Sequence, residues 1–246
     1  MSLSVVVEIP RRPLARITGG FYLAFVLALA IADALANIGV GDVERAYEVL
    51  STDQSQFAVG LTFALLSAFL FVMAAWGLYV LLRPINRELA LLFLLLNAIG
   101  VAVQVASYVP VIFAMEAADA SGFALAFSDP QLESLQRLAF DVQKFGFVTA
   151  QLFFATWLFP LGYLVYRSGF LPRFLGVLLI LDGFAIALWF FQGMVLLDNT
   201  AWSTPGLALS FVAEVGLGLW LLFKGIKAVP DGSGASNERS SDSNAP

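Results

Sequence analysis

The stretch FLGVLLILDGFAIALWFF, Phe174 to Phe191, places a single acid, Asp182, in the middle of an otherwise apolar run. A helix of this length reaches across most of a bilayer core about 30 Å thick. Its twelve strongly apolar residues are worth about -4 to -7 kcal/mol on an insertion scale, against about +3 kcal/mol for a central Asp, so the helix inserts despite the acid. A carboxyl facing lipid would still be unfavourable. Asp182 is therefore expected to turn toward the interior of a helical bundle.

Five further stretches have the same character: Ile17 to Gly41, Phe57 to Leu82, Leu89 to Met115, Phe145 to Tyr166 and Asn199 to Phe223, with the quoted run extending to Leu197. The chain is 60% hydrophobic and only 13% charged, with a mean hydropathy of +0.86. These runs are too long for strands, and a barrel would alternate in polarity over short segments. The expected fold is all-α: a polytopic integral membrane protein, a six-transmembrane-helix bundle over residues 17–223. A cytoplasmic N-terminal segment, 1–16, precedes it, and a disordered cytoplasmic tail rich in Ser, Gly, Asn and Asp, 224–246, follows.

The basic residues set the expected orientation. Arg11, Arg12 and Arg16 precede the first span, Arg83 and Arg87 fill the second connection, Arg167 and Arg173 the fourth, and Lys224, Lys227 and Arg239 follow the last. Only Arg45, Arg137 and Lys144 fall on the other side, so the positive-inside rule puts both termini in the cytoplasm. The opposite face is acidic, through Asp42, Glu44, Glu48, Asp53, Glu116, Asp119, Asp129 and Glu133. The net charge of -5 is thus an asymmetry between faces, and no nucleic-acid footprint is present. Ala34-Leu35-Ala36 resembles a signal-peptide cleavage site, but the run is long and carries Asp33 beside it, so a retained span is expected.

Two outer connections read as short amphipathic helices lying at the surface. GDVERAYEVL has Val43, Ala46, Tyr47 and Leu50 at helical spacing; SDPQLESLQRLAFDV has a capping Ser128 or Asp129 and feeds into the fourth span. Connecting structure is favoured for both over a ligand-binding lid.

Depth links three polar residues. Asp182 stands 9 residues beyond Arg173, Glu214 10 before Lys224 and Asn97 10 beyond Arg87, so all lie about 14 to 15 Å from the basic face. Glu214 belongs to a four-residue repeat, Gly206, Ser210, Glu214 and Gly218, suited to close helix contact. Asn97, Gly100, Gln104 and Ser107 form a polar stripe on the third span, and Gly20, Ala24, Ala28, Ala32 and Ala36 a packing seam on the first. Asn97, Gln104, Asp182 and Glu214 form the candidate intramembrane site. No Lys or Arg lies within the spans to neutralise the acids, so both are expected to carry protons at neutral pH. They are expected to bond to each other or to Asn97.

LLRPINRELALL (Leu81 to Leu92) and LGYLVYRSGFLPRFLGVLLILDGF (Leu161 to Phe184), with RPLARITGGFYL and AEVGLGLWLLFKG near the ends, resemble the bacterial membrane family called domain of unknown function 4386. The resemblance implies a multi-pass protein of the bacterial inner membrane with no established activity. The family pattern implies His near Gln143 and Trp157, and this chain has no His, which puts any role for such imidazoles in doubt.

With neither Cys nor His, the chain offers no thiolate or imidazole metal site, no histidine-ligated haem and no Ser/His or Cys/His nucleophile. It also lacks HExxH and Gly-x-Gly-Asp motifs. No enzymatic chemistry, metal or cofactor is expected. A membrane-embedded binding or assembly protein is the leading expectation, and a small permease or proton-linked transporter using Asp182 and Glu214 the alternative. The expected partners are the lipid bilayer, a small solute or proton at the mid-plane, and a protein partner or second copy at the small-residue seams.

Overall fold

The computed structural model describes residues 11–38, 43–118, 122–195 and 203–225. Those residues form helices with no strand among them: α1 (Arg11–Ala36), α2 (Val43–Thr52), α3 (Gln54–Leu82), α4 (Arg87–Ser107), α5 (Val109–Ala118), α6 (Asp129–Arg167), α7 (Arg173–Val195) and α8 (Ser203–Leu219). A short 3-10 turn, Gly122–Ala126, precedes α6, and a π turn, Trp220–Lys224, continues α8. Five segments are long and apolar enough to cross a membrane: Arg12–Ala36, Gln54–Leu82, Arg87–Ala118, Asp129–Arg167 and Arg173–Val195. The chain is an all-helical, multi-pass membrane protein. Of the expected disordered tail, Lys224 instead ends the π turn, while residues 226–246, like 1–10, fall outside the described residues, and 11–16 form the first turns of α1.

Local chemistry explains where the elements start and stop. Asp53 accepts from the backbone N–H of Gln56 to cap α3, and Asn86 accepts from Leu89 N–H to cap α4. The expected third span is two helices, because Pro110 has no N–H to donate to the carbonyl one turn back and the ladder breaks at Tyr108. Gln131 Oε1 accepts from the Ser128 N–H at 3.0 Å at the start of α6. From there the expected surface helix and fourth span run on as one helix of 39 residues.

The RSGFLPR connection is a built turn. Ser168 Oγ donates to Val165 O at 2.8 Å and accepts from Leu171 N–H at 3.1 Å. Gly169 takes φ 71°, and Phe170 and Leu171 turn back into the core before Pro172 leads into α7.

The long helices close into a ring: α1 packs on α3, α3 on α4, α4 on α6, α6 on α7, α7 on α8, and α8 back on α1. Aromatic rings from four helices fill the middle. Tyr22 of α1 meets Phe71 of α3 at 6.1 Å, Phe71 meets Trp157 of α6 at 5.2 Å, and Trp157 meets Phe93 of α4 at 6.3 Å. A second cluster, built around Phe57, Tyr108 and Phe140, knits together the ends of the helices that carry α2 and α5. There, glutamine amides satisfy carbonyls left over at helix ends: Gln56 Nε2 donates to Leu35 O, Gln143 Nε2 to Ile38 O, Gln54 Nε2 to Met115 O and Gln136 Nε2 to Ala114 O.

Candidate functional site

Phe174, Val177, Leu181, Phe184, Leu188, Phe191 and Val195 recur at three- and four-residue spacing along α7, and all are exposed. They form the lipid-facing stripe of that helix. Leu175, Leu179, Asp182, Gly183 and Ile186 occupy the other face and are buried, with Asp182 at 0% exposure. Asp182 therefore points into the bundle, as its place in the apolar run requires.

Its partner comes from α8. Ser210 Oγ donates a short hydrogen bond to Asp182 Oδ1. Glu214 lies one turn further along α8, within electrostatic range of Asp182, and keeps part of its surface exposed. On the third side the Tyr22 hydroxyl of α1 faces the Glu214 carboxyl and is within electrostatic range of Asp182. The hydroxyl does not close a hydrogen bond of normal geometry, and Asp182 Oδ2 has no partner either. Both Tyr22 and Asp182 are completely buried. Such groups are normally satisfied, so two orphaned oxygens beside a second carboxyl are an exception in need of a cause.

Small residues bring the helices this close. A Cβ on Gly218 would sit 3.0 Å from Leu23 and 3.5 Å from Tyr22, and one on Gly19 would meet the backbone at Gly218 O, 2.7 Å away. The repeat along α8 thus serves two neighbours, Ser210 facing α7 and Gly218 facing α1. The packing at Gly206 lies outside the described residues' contacts.

The other two candidate residues lie elsewhere. Asn97 is fully buried with neither amide atom partnered. It sits between Phe93, which meets Trp157, and Gly100, whose Cβ position is 2.7 Å from the Phe154 ring. Its neighbour is α6, and among the described residues α4 has no extensive contact with α7 or α8. The expected bond from Asp182 to Asn97 or Glu214 is replaced by the bond to Ser210. Gln104 donates to Tyr108 Oη at 3.1 Å, and Ser107 Oγ donates to Gln104 O at 2.6 Å, so this pair belongs to the α4–α5 junction. Depth along the axis placed these residues in height but not around the ring. Tyr22 is the site residue that sequence reasoning passed over. Its signal was a phenol hydroxyl in an apolar span, on the face of α1 that also carries Thr18, Gly19 and Phe25.

A second feature lies at the other end of α6. Arg137 pairs with Glu44 of α2 and, at 3.2 Å, with Glu133, while its guanidinium stacks 4.5 Å over the Tyr47 ring. These residues border a shallow, open cleft of about 550 Å³ that also touches Arg45, Glu48 and Ser51. Its charges are already matched to one another, which fits a clip holding α2 on α6.

Residues 17–225 match the model of the family described as Domain of unknown function (DUF4386). The chain belongs to that family. The match runs from the first turns of α1 to the end of the π turn, so the whole helix ring is the DUF4386 unit. No curated protein and no solved structure matches this DUF4386 chain.

Proposed function

We propose that this DUF4386 protein is a non-enzymatic, membrane-embedded binding protein whose site is the interior contact of α1, α7 and α8. The observation that carries the reading is Asp182 Oδ2, fully buried next to Glu214 and Tyr22 and bonded to none of them. An intramembrane acid held in this way is a poor packing device, since a helix tie needs only the bond to Ser210. In the same reading α8 with its π turn is a sixth span, supported by its contacts with both α7 and α1. Both termini then lie at the basic face, the cytoplasmic side of a bacterial inner membrane, in keeping with ten of the 13 Lys and Arg.

A proton-linked permease is the second reading, favoured by the second carboxyl, Glu214, that stands within electrostatic range of the buried Asp182.

Infrared difference spectroscopy of the reconstituted protein tests the proposal, with carboxyl bands assigned through Asp182→Asn and Glu214→Gln. Bands that vanish in those variants and titrate between about pH 5 and 9 are expected. Bands that stay unchanged across that range would make the contact a static tie and overturn the binding reading.

A further inference from the structure

We infer that the interior site takes one alkali-metal cation, sodium, held by Asp182, Glu214, Ser210 and Tyr22 in place of a proton. The inference rests on the binding reading above and names its ligand. Every donor offered is oxygen: the free Oδ2 of Asp182, the Glu214 carboxyl, the Tyr22 hydroxyl, and Ser210 Oγ, whose proton is committed to Asp182 Oδ1 so that its lone pairs are available. Carboxylate and hydroxyl oxygens without nitrogen or sulfur select hard cations.

Charge points the same way. Among the described residues neither carboxyl has a basic side chain beside it, the ion pairs there being those of Arg137. Two acids without a counter-charge inside a membrane require a proton or a cation. The titratable groups facing the site are Tyr22 from α1, Asp182 from α7 and Glu214 from α8. The α6 surface against α7 at this level brings Ala155 and Phe159, which do not titrate.

The helices that carry the site are closely packed: a Cβ at Gly183 would already lie 3.0 Å from Ala155 O of α6, and one at Gly218 is equally close to Leu23 of α1. Magnesium would keep several of its waters in an octahedral shell, and calcium takes six to eight oxygens. A site of four side chains, one of them a fully buried carboxyl, suits neither. Binding is an exchange: the carboxylic acid releases its proton to water as the carboxylate oxygen takes the cation, and no other bond changes.

The test is thermal unfolding of the purified protein in lipid nanodiscs, with sodium chloride replaced by choline chloride at constant ionic strength. Sodium is expected to raise Tm in a saturable way that choline does not reproduce. The half-saturating concentration should rise about tenfold for each unit of pH lowered while one proton competes. Asp182→Asn should abolish the response, and Ser210→Ala and Tyr22→Phe should each weaken it by about tenfold or more.

Equal responses to sodium and choline in the unmodified protein, or a sodium response surviving Asp182→Asn, would overturn the inference. The carboxyl infrared bands are read in the same two salts on the unmodified protein, so the result does not depend on a variant folding. Bands that titrate with pH yet ignore sodium would remove the ion and leave the binding reading standing. Bands indifferent to both would remove both.

Discussion

Asp182 and Asn97 are both completely buried at mid-helix, yet the fold gives one a partner and leaves the other with none. Ser210 donates to Asp182 Oδ1, whereas neither amide atom of Asn97, on α4 between Phe93 and Gly100, has a partner. Removing a donor from a buried acceptor and removing an unsatisfied group have opposite consequences. Ser210→Ala is therefore expected to destabilise the protein by about 1 to 2 kcal/mol. Asn97→Leu, which keeps the volume and deletes two orphaned polar atoms, should leave stability unchanged or raise it. Denaturant unfolding in mixed micelles checks both, and a loss of stability in Asn97→Leu would mean the amide has a partner in the membrane. At this scale much was legible in advance. The insertion balance at Asp182 and the small-residue repeat around Glu214 both pointed inward, and the structure turns both residues toward the same contact. The choice of Ser210 over Asn97 was not legible, because residue counts give height along a helix and say nothing of which helices are neighbours.

Helix pairs inside lipid gain little from burying apolar surface, since the alternative environment is equally apolar, so close backbone approach has to do more of the work. The α6–α7 pair illustrates this. A Cβ on Gly176 would fall 2.6 Å from both Gly162 O and Tyr166 N, and one on Gly162 would fall 2.7 Å from Gly176 O. These are backbone atoms that cannot swing aside, so Gly176→Ala should force the helices apart and cost about 1 to 3 kcal/mol. Gly20→Ala on α1, with nothing within 4 Å of the added methyl, should be neutral or stabilising by up to about 1 kcal/mol through helix propensity. Thermal unfolding of the two variants side by side decides it, and equal melting temperatures would show that the contact yields. The element boundaries were readable where local chemistry sets them, as at the capping Ser128 that starts α6 and the short connection from Arg167 to Arg173. The division of α4 from α5 was missed because hydropathy is continuous across Tyr108, and only the absent N–H of Pro110 marks the break.

For the molecule as a whole, the helices follow one another around the ring in chain order, and α8 meets α1 to close it. Short connections at Arg83–Arg87 and Arg167–Arg173 make each successive pair antiparallel, so the number of crossings decides on which side the chain ends. Five crossings would put the two ends of the ring on opposite sides of the membrane, and six would put them together. Closure favours six, because the π turn of α8 packs beside α1 close to where α1 begins: Gly19 faces Leu221 and Leu222. A chain without cysteine allows this to be measured with single introduced thiols. Ser51→Cys, in α2, should react with a membrane-impermeant maleimide in intact cells. Glu88→Cys and Lys224→Cys, exposed at the basic end, should react only after the membrane is opened. Labelling of Glu88→Cys and Lys224→Cys from opposite sides would exclude α8 as a span and detach Glu214 from the interior site. Labelling of both from the cytoplasmic side alone would place Asp182 and Glu214 at one depth on adjacent antiparallel helices, the geometry that an ion shared between them requires.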